Sequence, residues 1–192
     1  MPKTLDMGVR PMIATFDIET TGLTADADTI LAAVIKPWMG EAKLYREDMY
    51  MRPRRSENPE MVTEIITELA KYPILIAHNG VRFDRPWLNT LAVMGGLDII
   101  LNPFGKIIDP VRLARKHLKF NYNSLEKLSE ALGTRARKIP LTRQVWLRAT
   151  LDGDKDALDQ ICEHCVADVD TLEEVAYICR PFIRDINAWG SD

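Results

Sequence analysis

The sequence predicts an α/β fold with one mixed, five-stranded sheet flanked by helices. Two observations carry this: three strand-like segments come first, and helices then alternate with short apolar strands. Residues 12–20 follow a strand period, and β-branched residues recur at 29–35 and, more weakly, at 42–46. Gly22 and Gly40 punctuate these runs as hairpin or loop connections do, so the three strands are expected to be antiparallel.

The later elements follow in order. Asn58-Pro59 supplies a cap and a first-turn proline. Met61, Val62, Ile65, Ile66 and Leu69 then recur at helical spacing. Pro73 ends that helix, and Ile74-Leu75-Ile76-Ala77 is a short buried strand. Pro86 is expected to open a second helix running to Gly95-Gly96. Ile107-Ile108 forms the next strand, followed by a helix through Leu113 and Leu118. Asn123, with Glu126 three residues on, makes a capping-box-like start for a helix that ends at Gly133. The last long helix covers about 155–179. With no internal repeat, low-complexity run or linker, residues 1–192 are expected to form a single domain with its core at about 12–180.

A chain of 192 residues can bury a proper core, and 46% apolar with 28% charged residues excludes disordered and fibrous classes. No apolar run approaches the roughly 18 residues of a membrane span, so no membrane partner is expected. The start, Met1-Pro2-Lys3-Thr4-Leu5-Asp6, lacks a secretory apolar region. All three cysteines lie within 162–179, which is no disulfide framework and points to a reducing cytoplasm. Cys162-x-x-Cys165 has no second pair and reads as helix packing rather than a zinc or redox motif. A net charge of −3 argues against a tight, sequence-independent duplex coat. Local cations remain at Arg52, Arg54 and Arg55, and at Arg135, Arg137, Lys138, Arg143 and Arg148, patches that could equally be solvated faces.

Three acidic signals stand out. Asp17 and Glu19 are two apart on the first strand, so both point to one face. Two carboxylates on a largely buried strand repel each other, and a divalent cation relieves this by favouring both ionised forms. A strand end reaching solvent would tolerate the same pair. On the final helix, Ile161, Cys165, Val169, Leu172, Val175, Ala176 and Cys179 share one arc of a helical wheel. Asp168 falls inside that arc, whereas Asp170, Glu163 and Glu174 fall opposite. An aspartate in a core stripe needs a partner, either a cation or a buried arginine. His164, one turn earlier, can face the same space. The third signal is Asp84, which follows the buried strand and stands at or just before a helix N-terminus. That is near the carboxyl edge where open sheets place ligands, and it is also where an ordinary N-cap would sit. Four acids converging on one cleft suit two cations that activate water against a phosphodiester. Oxygen ligands favour Mg2+ or Mn2+.

These segments resemble the DEDD 3′-to-5′ exonucleases of the ribonuclease-H-like superfamily. Phe16-Asp17-Ile18-Glu19-Thr20-Thr21-Gly22 is similar to their first motif, and Ala77-His78-Asn79-Gly80-Val81-Arg82-Phe83-Asp84 to the second. Cys165-Val166-Ala167-Asp168-Val169-Asp170-Thr171 is similar to the third. Ile108-Asp109-Pro110, Ser124-Leu125-Glu126-Lys127-Leu128 and Leu132-Gly133 fit the run between them. The resemblance spans about 12–180. It implies a ribonuclease-H-like sheet, with Asp17, Glu19, Asp84 and Asp168 ligating two metal ions. The group divides by its water-positioning residue, tyrosine four before the last acid or histidine five before it. This chain has His164 at the tyrosine spacing and Glu163 one position earlier. His164 is therefore read as the water-orienting residue or general base.

The implied substrate is the 3′ end of single-stranded nucleic acid. The tyrosine-spaced branch favours DNA over RNA, and the expected role is stand-alone trimming or proofreading in a bacterial or phage-infected cell. An exoribonuclease and a catalytically inactive nucleic-acid-binding domain are the alternatives. Candidate substrate contacts are Thr20, Asn79, Phe83, Lys138 and Arg143. Phe83, Trp87 and Leu88 could wedge a terminal base or simply pack in the core. His78 is assigned to supporting the loop that carries Asp84.

Overall fold

The computed structural model describes residues 13–50, 58–102, 105–137 and 139–183. Arg52, Arg54, Arg55 and Lys138 lie outside the described residues.

The sheet is built around β1 (Ile13–Thr20). β2 (Ile30–Pro37) and β3 (Lys43–Arg46) continue it antiparallel on one side, and β4 (Ile74–Ile76) and β5 (Lys106–Ile108) parallel on the other. The order is β3-β2-β1-β4-β5. This is the expected mixed sheet of three antiparallel strands followed by parallel ones.

Period-2 alternation sorts β1 between two cores. Ala14, Phe16 and Ile18 join one cluster with Ile65, Ile66 and Leu69 of α1 (Pro59–Leu69) and Leu88 and Leu91 of α2 (Asp84–Met94). Ile13 faces the other side, against Leu172, Val175 and Ala176 of α6 (Lys155–Cys179). Val34 of β2 meets Cys165 and Val169 of the same helix. In the ladder Asp17 stands opposite Val34 and Glu19 opposite Ala32, so both acids look toward α6. The wheel of α6 holds: its apolar stripe and Asp168 are buried, and Glu163 is exposed. Asp170 turns outward to Lys36 Nζ at 2.6 Å, and Glu173 takes the same ammonium at 2.9 Å, tying α6 to β2.

Two helix starts differ from the sequence expectation. The helix expected from Pro86 opens two residues earlier, with Phe83 at the N-cap and Asp84 already in the first turn. Asn123 is not the cap of α4 (Leu125–Leu132). Ser124 is, its Oγ accepting from Lys127 N at 3.4 Å. Shifting the start by one residue lets both Leu125 and Leu128 reach the core. Asn58 and Pro59 open α1 as expected, with Asn58 Oδ1 accepting from Met61 N. α3 (Pro110–His117) also lies where the pattern put it. No sequence periodicity marks α5 (Arg143–Leu147), which passes into a π-helical turn at 148–152 and stops at Gly153, φ 62°. All three cysteines are reduced and buried, so Cys162 and Cys165 pack as read from the sequence. Among the described residues no helix is long and apolar enough to cross a membrane.

The α6 stripe should dominate stability. Leu172→Ala is expected to lower unfolding free energy by about 2–5 kcal/mol, because a buried leucine leaves a cavity against Ile13 and Ile76. Leu151→Ala, at a side chain 77% exposed, should stay within about 0.5 kcal/mol. Urea denaturation of the two variants checks both.

Candidate active site

The carboxyl half of β1 carries Asp17 and Glu19, half-buried on the face that α6 covers. The β1–β2 register shifts between Glu19 and Thr20, an irregularity that re-aims side chains at the end of a strand. α6 supplies Asp168 and, one turn earlier, His164, both only 5% exposed. His164 Nε2 lies 3.3 Å from Glu19 Oε1 and 3.6 Å from Asp168 Oδ2. The ring's other nitrogen bonds the Ile139 carbonyl. A carbonyl only accepts, so Nδ1 carries a proton and Nε2 is the atom presented to the two carboxylates.

Asp84 arrives by another route. β4 stops pairing opposite Thr15, so the Ile18 amide lies beyond the end of that ladder. Asp84 Oδ1 accepts from it at 3.2 Å, placing the carboxyl beside the backbone between Asp17 and Glu19. The loop from β4 to α2 is closed by Arg82 and Phe83 N–H donating to the Asn79 carbonyl, with Asn79 at φ 65°. At Gly80 a Cβ would come within 2.3 Å of Ala77 Cβ, so only glycine allows the turn to close this tightly. Burial pushes the Asp84 carboxyl up to about 7, against hydrogen bonds from its own backbone and Ile18 that favour the ionised form.

Among the described residues, Glu19, His164 and Asp168 each place one donor atom within 4.8 Å of the others. Asp17, Glu19 and Cys165 do the same. Asp84 belongs to neither group and reaches the site through the Ile18 amide. Cys165 Sγ sits 3.8 Å from Asp17 Oδ2, and burial, with Asp17 and Glu19 beside it, holds its thiol well above the usual range. A protonated thiol can donate to Asp17 without adding charge.

The remaining candidate contacts are dispersed. Thr20 Oγ1 donates to the Gly22 carbonyl at 2.6 Å, stiffening the turn after β1. Asn79 N donates to Asp109 Oδ1 at 3.1 Å. Phe83 is half-buried against Trp87, 6.4 Å between ring centroids, and Trp87 and Leu88 belong to the core. Arg143 is exposed at the start of α5. Arg148 is held by Asp154, with Nε 2.8 Å from its carboxylate. Beside Glu19 and His164 opens a cleft of about 600 Å³, walled by α4 and by Pro140, Leu141 and Trp146.

Two residues near the site, Ile139 and Trp146, escaped the sequence reading, as did the role of a third, Asp109. Asp109 caps α3 through Val111 N at 3.0 Å while holding the Asn79 amide, and so ties β5 to the loop that carries Asp84. Its match to a family run was visible, its bridging role was not. Ile139 and Trp146 lie in a stretch with no periodicity to mark them.

The model of the RNase_H superfamily matches residues 14–179, from β1 to the end of α6. No curated protein matches the chain. Among solved structures, the fold is similar to the family B DNA polymerase from the hyperthermophilic archaeon Pyrobaculum calidifontis. The TM-score is 0.68 at 15% identity, over 88% of this chain and 24% of that one. The chain thus spans about a quarter of that polymerase chain, and the likeness is one of fold. With the family match running through every strand and all three acidic segments, the chain belongs to the RNase_H superfamily.

Proposed function

We propose that the chain is a metal-dependent 3′-to-5′ exonuclease of the DEDD type, hydrolysing the terminal phosphodiester of single-stranded DNA. The observation that carries this reading is the convergence of Glu19, Asp168 and His164 around one point, with Asp17 beside them on β1. DNA is preferred because His164 occupies the spacing of the DNA-directed branch. Trimming or proofreading of a 3′ end is the corresponding role.

The residues suit divalent cations. Their donors are hard carboxylate oxygens, which favour Mg2+ or Mn2+. Asp84, almost fully buried and with its proton retained to about pH 7, is a group that positive charge nearby would ionise. Asp17, Glu19, Asp84 and Asp168 would hold the ions. When bound, two such ions supply an activated water and stabilise the attacking and leaving oxygens.

The chain's own contribution is orientation and proton handling. The Ile139 carbonyl fixes the His164 ring, so that Nε2 faces the carboxylates and can take a proton from an attacking water. Trp146 meets this ring at 89°, 6.4 Å between centroids, and restricts its swing. Val34, Cys165 and Val169 pack into one apolar cluster under the site, and Cys165 Sγ lies 3.8 Å from Asp17 Oδ2, so the acids stand on a packed base.

A 5′-labelled single-stranded DNA oligonucleotide incubated with Mg2+ or Mn2+ should give a ladder shortening from its 3′ end. Asp17→Ala and Asp168→Ala should abolish it. Internal cuts, or activity surviving in both variants, would overturn the reading, and a matched RNA oligonucleotide reports the sugar preference. His164→Ala should cut turnover by about 10²–10⁴-fold with little change in binding. Turnover left intact would remove His164 from the chemistry.

Asp84 makes a separate prediction in the metal-free protein. Its folded pKa of about 7 lies above the unfolded value of about 3.9. The stabilisation from keeping this proton is therefore full below pH 4 and lost as pH rises through 7. In EDTA, Asp84→Asn should melt above the wild type at pH 8, with the gap narrowing toward pH 5. A gap that is constant across that range contradicts the assignment. Thermal melts at several pH values decide it.

A further inference from the structure

We propose that Trp146 is the platform on which the terminal nucleobase of the substrate stacks. This rests on the nuclease reading above and assigns the adjoining cleft to the base rather than to the backbone.

The cleft of about 600 Å³ beside Glu19 and His164 has the size of a small-ligand site. Its two walls differ in kind. One is acidic, formed by Glu126 and Glu130 of α4. The other is apolar, formed by Pro140, Leu141 and Trp146. Among the described lining residues Glu19, Glu126 and Glu130 give three carboxylates, Glu130 paired with Lys127 at 2.8 Å, against the single guanidinium of Arg137. That guanidinium already donates to the backbone carbonyls of Thr134 and Ala136. A phosphate entering this space would face the carboxylates of Glu19 and Glu126, with the Arg137 guanidinium already engaged. A base meets an aromatic face and apolar neighbours, and its exocyclic amino groups meet carboxylate acceptors.

The position of Trp146 fits that division. It is half-buried, seated on the cluster of Leu158, Ile161 and Ala149, so its ring is held rather than loose. Its centroid lies 6.4 Å from that of His164. A terminal base resting on it would turn its own 5′-side phosphodiester, the bond to be cleaved, toward Glu19 and Asp168, which His164 Nε2 approaches at 3.3 and 3.6 Å. α5 is five residues long and runs straight into a π-helical turn, an arrangement that often accompanies functional sites. Phe83 lies in another core cluster, packed on Trp87 with α1 and α2.

The test is a cycle of enzyme variant against substrate end. Two 5′-fluorescein-labelled single-stranded DNA oligonucleotides are compared, one ending in thymidine and one in an abasic tetrahydrofuran residue. Binding is read by anisotropy with Ca2+ in place of Mg2+. The wild type should bind the thymidine end about tenfold more tightly, a usual contribution for stacking one base. Trp146→Ala and Trp146→Leu should both bring this ratio close to one, whereas Trp146→Phe should keep most of it. The leucine variant retains the apolar packing should alanine impair folding. A ratio preserved in Trp146→Leu, or no preference in the wild type, overturns the proposal. Cleavage with Mg2+ is scored separately. Failure of the wild type to shorten either oligonucleotide defeats the nuclease reading, while the binding ratio still decides the role of Trp146.

Discussion

The packing of α6 across β1 and β2 is the constraint on which the acidic site depends. One helical stripe has to bury Cys165, Val169 and Leu172 against Val34 and Ile13. A valine or leucine of this kind contributes about 1.5–3 kcal/mol when buried. The same stripe brings Asp168 and His164 over the half-buried acids of β1. Apolar contact supplies the energy that holds the carboxylates close together against their mutual repulsion. Lys36, bonded to Asp170 and Glu173, sets the helix over β2 from the outer side. The acids are thus held by a scaffold that does not depend on their own attraction for anything.

A second constraint acts from the opposite core. Because β4 is only three residues long, the Ile18 amide outlasts its parallel neighbour. Asp84 satisfies that amide and in doing so is drawn out of water. A buried amide without a partner would be unfavourable, and so is a buried carboxylate. The hydrogen bond settles the first, and proton retention eases the second. The bond also ties α2, packed on one face of the sheet, to the strand whose Asp17 and Glu19 look to the other.

Much of this was legible in the sequence because it follows from local periodicity. The strand period placed Asp17 and Glu19 on one face, and the helical wheel separated buried Asp168 from outward Asp170. The start of α1 could be read from Asn58 and Pro59 alone. What resisted reading depends on distant or very short features. Asn123 and Ser124 are both good caps, and only the burial of Leu125 and Leu128 chooses between them. The Asp84 to Ile18 bond spans 66 residues, and no local pattern announces it. α5 has too few residues to show a helical period, which hid Trp146, and the Ile139 carbonyl lies outside any element.

Among the described residues the sheet is open, with β3 and β5 each paired on one side only. Open edges offer amides and carbonyls to any passing extended chain and are the usual starting point of amyloid-like addition. Here the two edges are four and three residues long. The longer carries Lys43 and Arg46, the latter bound by Asp48 and Asp159 at 2.7 Å each. A foreign strand would gain few backbone bonds and would have to displace those ion pairs. Short edges and paired charges thus work against self-templated aggregation at these margins.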